Sequence, residues 1–383
     1  MRVLHLIESL AVGGAEQSLV NTLPALQNQD VEVSVGYWRG DDTLRAKLEC
    51  SGIEVTRFAD IHKWNLLAAA GKLGTFTKNQ GLDVIHAHLY FPALYTSMSR
   101  LLHKTACGTA VTLHNLAYAA GVNKAGLGLS VKKQISASLY PRCIDRTVAV
   151  SQAVADHYAK NLRLSNITVI HNGISRAQRD ANYPDEVSQQ RDSFHIVMPG
   201  RLVPEKGHRI CLEAMRELVA RGRNCQLTLA GGGPLESALR QRLAELNLDE
   251  SVTITGSLSH AELLMTMSGA DVIAVPSMAE GFGLVAIEAM ALRKPIVVSD
   301  VGGLTEIVEH EKTGLIVPAG DSRLLAAALD QYLCDPGARS RFGLAGRQRV
   351  LENFTADATA RKLRRVYEDI MSQKRASALP YRP

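Results

Sequence analysis

Short runs of β-branched and aliphatic residues alternate with longer segments in which apolar positions recur every three or four residues, from the first residue to Val317. The runs Val3–Ile7, Val31–Tyr37, Ile53–Phe58, Val84–Ala87, Thr109–Leu113, Thr147–Val150 and Ile167–Ile170 have strand length and strand composition. Between them lie helical patterns such as Glu16–Leu26, Leu66–Lys78 and Ala153–Asn161. A polar stretch, Ser175–Asp192, interrupts the alternation, which restarts with Ile196–Met198, Gln226–Leu229, Val252–Ile254, Val272–Val275, Ile296–Ser299 and Leu315–Val317. Helical patterns at Leu235–Leu246 and Leu284–Leu292 interleave with this second series, and the pattern beyond Pro318 is purely helical through Met371. Strands alternating with crossover helices predict parallel sheets covered on both faces.

The expected fold class is therefore α/β with two Rossmann-like, doubly wound domains: residues 1–175, a linker over 176–192, and residues 193–355. The last helix, about 356–383, is expected to pack back on the first domain. Two domains also suit a chain of 383 residues, because single cores stop growing at about 250–300. Ligands of open parallel sheets bind beyond the carboxyl ends of the strands, so the residues just after each strand carry most weight. A central cleft between two facing domains is the expected site.

Composition narrows the class. Apolar residues make up 46% and charged residues 21%, with no run near the ~20 apolar residues of a membrane span. The start, Met1-Arg2 followed by Val3-Leu4-His5-Leu6-Ile7, lacks the apolar region of a signal peptide, which predicts a cytoplasmic protein. The six cysteines stand without Cys-x-x-Cys pairs or zinc spacing and are expected to be small core residues. Charge is lopsided: residues 1–180 hold 19 Lys and Arg against 13 Asp and Glu, a net of +6, and the remainder nets −1. Between Asp83 and Asp145 there is no acid, while Arg100, Lys104, Lys124, Lys132, Lys133 and Arg142 all fall there. Such a basic half suits an anionic substrate or peripheral contact with an anionic membrane at its inner face; the bland alternative is a solvated basic surface. Only 5% of residues are aromatic and no recognised module is present, so no nucleic-acid partner is expected.

Candidate chemistry sits at the strand ends. Gly13-Gly14 follows the first strand and opens a helix, where bare backbone N–H groups can approach an anion, although the Gly-x-Gly-x-x-Gly spacing is absent. In the second domain Arg201 and Lys206 leave a strand together in Pro199-Gly200-Arg201-Leu202-Val203-Pro204-Glu205-Lys206, a pair of cations suited to a diphosphate. The segment Glu280-Gly281-Phe282-Gly283-Leu284-Val285-Ala286-Ile287-Glu288 places two glycines at a helix start, with one acid before the helix and one about a turn inside it. Carboxylates accept hydrogen bonds from vicinal hydroxyls, which suggests one acid for each of two sugars. The alternative has Glu280 capping the helix and Glu288 exposed. Ser299-Asp300-Val301-Gly302-Gly303 repeats the strand-to-helix glycine device. His86 and His88 share a strand face, but no third ligand accompanies them, so no metal site is expected.

As a set, Gly13-Gly14-Ala15-Glu16, Asn172-Gly173, Arg201 with Lys206, Glu280 with Glu288, Gly302-Gly303 and Thr313-Gly314-Leu315 resemble the retaining glycosyltransferases of family 4, whose fold is the two-Rossmann GT-B arrangement. The resemblance spans nearly the whole chain. It implies a retaining transfer from a nucleotide sugar, most commonly a UDP-sugar; with Arg201 and Lys206 available for the diphosphate and no Asp-x-Asp carboxylate pair, neither a metal nor a cofactor is expected. The acceptor would be a saccharide or lipid-linked one, in surface polysaccharide or lipopolysaccharide synthesis. It also implies that Arg201 and Lys206 hold the diphosphate, Glu280 the donor-sugar hydroxyls and Glu288 the ribose, with Gly13, Gly14, Gly281, Phe282, Gly283 and Leu284 lining the nucleotide-sugar site. His114, after the fifth strand, stands where similar enzymes place a histidine facing the donor sugar. It implies no role for Gly302 and Gly303. Competing readings are a nucleotide-sugar epimerase of the same fold and a module that binds nucleotide sugars without turnover.

Overall fold

The structure, a computed structural model, describes residues 1–58, 61–119, 127–181 and 193–378, with the backbone alone for 377 and 378. The chain divides into two compact units, one formed by Met1–Arg176 with Thr355–Pro383 and the other by Ala177–Phe354. No helix among the described residues is long and apolar enough to cross a membrane.

The first unit holds seven parallel strands: β1 (Arg2–Ile7), β2 (Glu32–Tyr37), β3 (Glu54–Arg57), β4 (Val84–His88), β5 (Gly108–Leu113), β6 (Arg146–Ala149) and β7 (Ile167–Val169), in the order β3-β2-β1-β4-β5-β6-β7. Alternation along β1 decides the layers. Val3 and Ile7 point towards α1 (Gly14–Gln27) and towards the tail helix Ala356–Ala378, which contributes Leu363, Val366, Tyr367 and Ile370. Leu4 and Leu6 face the other way, onto α3 (Leu66–Gln80) and α4 (Tyr90–Leu101) through Leu73, Phe91 and Leu94. Each such side chain, fully buried, contributes about 1.5–3 kcal/mol, so both faces are needed to hold the sheet.

The second unit holds six parallel strands: β8 (Phe194–Pro199), β9 (Cys225–Ala230), β10 (Val252–Ile254), β11 (Val272–Val275), β12 (Ile296–Ser299) and β13 (Leu315–Val317), ordered β10-β9-β8-β11-β12-β13. One face buries Ile196, Met198, Leu227 and Leu229 against the helices His208–Ala220, Glu236–Leu246 and Ser322–Cys334. The α/β fold class with two Rossmann-like sheets is thus the observed one, and strand order reverses between β1 and β4 in one unit and between β8 and β11 in the other.

One expectation needs correction. Cys50 and Cys334 are exposed, each the last residue of a helix where the chain leaves the core, while the other four cysteines are buried. Within the expected linker, Arg176–Asp180 forms a helical turn with Gln178 buried, and residues 182–192 lie outside the described residues.

Candidate functional site

In the second unit β8 ends at Pro199, the chain passes Gly200 and Arg201, makes a tight turn at Pro204–Lys206, and enters the helix His208–Ala220 through Gly207. The neighbouring strand β11 delivers Pro276 to Gly283 before the helix Leu284–Ala291. The two loops are joined: Met278 N–H donates to the Glu205 carbonyl at 2.8 Å. Gly207 has φ +77°, and a Cβ there would overlap the Pro276 carbonyl oxygen, so the close approach of the loops needs a glycine.

That approach brings Lys206 and Glu280 together. The Lys206 ammonium donates to Glu280 Oε2 at 2.6 Å, with side-chain exposures of 24% and 14%, and Ser277 Oγ donates to the same oxygen at 3.3 Å. The backbone of Glu280 is held by β12's exit loop, where Gly303 N–H donates to its carbonyl at 3.2 Å. Gly302 has φ +53°, and a Cβ on it would sit inside that same carbonyl oxygen; a Cβ on Gly303 would meet the Phe282 backbone at 2.6 Å. Gly302 and Gly303 therefore shape the floor under Glu280–Phe282, the role that the sequence left open.

Arg201 is exposed, and its guanidinium has no partner among the described residues. Glu288 lies one turn inside its helix and is only 2% exposed. Its Oε1 accepts from His260 Nε2 at 2.8 Å and from Gln178 Nε2 at 3.3 Å, while Oε2 has no partner among the described residues. The alternative of a capping Glu280 and an exposed Glu288 fails, because the helix N-cap is Gly283 and the acid is enclosed. Phe282 is 3% exposed, and its ring packs against Phe354 with centroids 6.0 Å apart. Gly281 and Gly283 are buried in the loop and Leu284 is half-buried at the helix start.

In the first unit Gly13 is the N-cap of α1 and Gly14 its first residue, exposed, with open space where a Cβ would stand. Behind them, His5 of β1 and His86 of β4 are register partners, and His88 follows two residues on along the same strand face. His114, just past β5, is partly exposed, and its Nε2 lies 2.9 Å from His88 Nδ1. The expectation that His86 and His88 lack a third imidazole is corrected: their ligand atoms and those of His5 lie within 4.8 Å of one another. Burial drives all four rings towards the neutral form, His5 down to about 3 and His114 to about 4, with His86 and His88 held well below the usual histidine value. Sequence reasoning missed His5, His260, Gln178 and Ser277; none stands in a motif, and only the pairing of strands and loops brings them to the site.

Comparisons with known proteins agree across both units. The family described as Glycosyltransferase Family 4 matches residues 12–178, and the one described as Glycosyl transferases group 1 matches residues 181–349. The chain is 31% identical over 314 residues to a glycogen synthase of Mycobacterium tuberculosis, spanning 81% of this chain and 73% of that one. It is 33% identical over 175 residues to the alpha-D-kanosaminyltransferase of Streptomyces kanamyceticus, a match spanning 46% of this chain and only 45% of that relative's length. The crystal structure of Anabaena HepE in complex with UDP superposes with a TM-score of 0.81 at 22% identity, covering 96% of this chain and 100% of that one.

Proposed function

Because the chain belongs to the family 4, group 1 glycosyltransferases, we propose that it transfers a sugar from a nucleotide diphosphate donor, a UDP-sugar, to a saccharide or lipid-linked acceptor in surface polysaccharide or lipopolysaccharide synthesis. The observation that carries this reading is the contact of Lys206 with Glu280 at 2.6 Å. The bond that breaks joins the sugar to the β-phosphate, so a cation for the phosphate and a carboxylate for the sugar hydroxyls belong side by side. As that bond lengthens, negative charge grows on the diphosphate; Lys206, the unpartnered Arg201 and the bare backbone at Gly281 and Gly283 stabilise it. A preorganised group of this kind contributes about 2.7–4 kcal/mol of barrier lowering. Glu280 orients the donor sugar, and Oε2 of Glu288 accepts from a ribose hydroxyl. The acceptor oxygen attacks the anomeric carbon on the face the phosphate leaves, its proton passes to the departing phosphate oxygen, and configuration is retained. Fixed cations take the electrostatic part that a metal plays elsewhere, so transfer proceeds without one.

The first unit is assigned to the acceptor. On its surface Leu127 and Val131 of the helix Leu127–Cys143 are 83% and 41% exposed, and Lys132 lies over the rings of Tyr90 and Phe91 at 5.2 and 5.4 Å. Apolar side chains beside lysines support peripheral contact with an anionic leaflet carrying a lipid-linked acceptor. Lys124 of the same basic segment lies outside the described residues.

A panel of nucleotide sugars, followed by thermal shift and by release of nucleotide diphosphate with and without saccharide acceptors, tests the reading. The expected result is stabilisation by one donor and acceptor-dependent release that survives EDTA. Stabilisation without release identifies a binding module, and conversion of the donor to its epimer identifies an epimerase.

A further inference from the structure

The first unit holds a cavity of about 790 Å³ at the amino ends of β4, β5 and β6, the end of the sheet opposite to Gly13, Gly14 and His114. Small-molecule sites run to about 300–1,000 Å³, so the space suits one. Strands of four to six residues, at about 3.3 Å per residue, keep it roughly 13–20 Å from the carboxyl ends. The tail helix makes one wall. Gly108 opens β5, and a Cβ there would overlap the Ile370 side chain, so the helix lies directly on the strand. One turn further on, Arg146 Nη1 donates to Gln373 Oε1 at 2.9 Å and ties the helix to the start of β6. Ile370, Met371, Lys374 and Arg375 thereby border the cavity, with Leu82 and Cys107 from the segments that lead into β4 and β5.

Four cations line this space, Lys78 of α3, Arg100 of α4, and Lys374 and Arg375 of the tail helix, against two carboxylates, Asp83 and Asp145. Neither carboxylate serves the lysines. Asp145 accepts from Arg100 Nη1 and Nη2 at 2.9 and 3.0 Å and from Thr109 N–H at 2.9 Å, while Asp83 accepts from Arg2 N–H at 2.8 Å. Lys78, Lys374 and Arg375 have no ion-pair partner among the described residues. Lys374 is half-buried, and burial first and the Arg100 guanidinium second push its ammonium below the usual lysine value, with Asp145 and Cys107 opposing. An anion beside Lys374 would offset both effects.

We propose that this cavity binds a small organic phosphate monoester, its phosphate paired with Lys374 in the field of Lys78 and Arg375 and its apolar body laid against Leu82, Ile370 and Met371. The charge selects the phosphate. Four cations against two carboxylates leave an excess of two, and a phosphate monoester carries about −1.5 to −2 at neutral pH where a carboxylate carries one charge. The apolar wall selects an ester over the bare ion. Bound there, the ligand bridges the end of the tail helix to α3 and stabilises the first unit without touching the strand ends that carry His114. The site is independent of the glycosyltransferase reading.

Phenyl phosphate is the probe, added to the full chain carrying Arg201→Ala and Lys206→Ala so that those two cations of the second unit take no part. Calorimetry is expected to show one site, and the tryptophan transition, which reports on the first unit, is expected to move to higher temperature. Lys374→Met keeps the aliphatic stem and is expected to weaken binding about tenfold or more, while Lys374→Arg retains it. Ala106→Trp leaves every cation in place, fills the cavity and is expected to abolish binding. Inorganic phosphate is expected to bind about tenfold more weakly, for want of the apolar body. Each variant is first shown to fold by its ligand-free thermal transition. No heat and no thermal shift at millimolar phenyl phosphate overturn the site. Unchanged affinity in Lys374→Met or in Ala106→Trp places the ion on a solvated basic face and overturns it as well, and equal affinity for inorganic phosphate overturns the ester.

Discussion

The two sheets share a strand order, and what differs is the chemistry at the point where that order reverses. Between β8 and β11 the second unit presents an exposed arginine, a lysine paired with a carboxylate, and loops pressed so close that glycines are required. Between β1 and β4 the first unit presents neutral imidazoles buried against a tyrosine. One topology thus supplies a charged cradle in one unit and an uncharged polar network in the other. The lesson is that the fold fixes where a site lies, while the side chains at the strand ends fix what it can do.

The comparison breaks most visibly at Glu280. Glu280→Gln is expected to lower the transfer rate on the order of 100-fold, with the melting temperature little changed, because a neutral amide replaces the charged acceptor that Lys206 holds in place. Full activity in the folded variant would falsify the assignment. Arg201 and Lys206 sharpen it next. Each Ala variant should weaken UDP binding in calorimetry by about 10- to 100-fold and uridine binding far less, since a hydrogen bond between charged groups is worth roughly 1.5–3 kcal/mol. Only Lys206→Ala should also lower the melting temperature of the free protein, because it strands the Glu280 carboxylate.

Acid should separate the two units. The buried histidines of the first unit have folded pKa values depressed to about 3 at His5 and about 4 at His114, against an ordinary value near 6.5. Their contribution is complete above pH 6.5, and it is lost as pH falls towards 4, where the unfolded chain takes up protons that the folded unit excludes. At pH 5 the loss is about 2 kcal/mol for the first such group. Both tryptophans, Trp38 and Trp64, lie in the first unit, so their fluorescence reports on it alone. Its transition should move to lower temperature between pH 7 and pH 5, ahead of the second unit, in which His208 is the group so depressed among the described residues, to about 4. A pH-independent tryptophan transition would contradict the buried neutral cluster.

The smallest expected effect is at the surface. Pelleting with anionic vesicles at low salt should fall steeply as salt rises, and Lys132→Glu with Lys133→Glu should weaken it further, by about 1 kcal/mol for each charge lost. No binding at low salt would leave the basic face to a soluble acidic acceptor.

Sequence alone determined the two parallel sheets, because short runs rich in β-branched and aliphatic residues alternate with helical patterns, and every run from Val3–Ile7 to Leu315–Val317 became a strand. It also marked the charged cradle, since Arg201, Lys206, Glu280 and Glu288 stand in local spacings after strands. Tertiary structure alone decided the rest. Gly302 and Gly303 acquired a role only when their loop met the carbonyl of Glu280, Glu288 was enclosed by His260 and Gln178 from distant segments, and Phe282 turned inward onto Phe354. Hydrogen bonds between side chains join positions 5, 86, 88, 112, 114 and 367, and no window of sequence contains them. Local patterns record which face of an element is buried; which distant side chain meets it there depends on register and packing, and those exist only once the chain has folded.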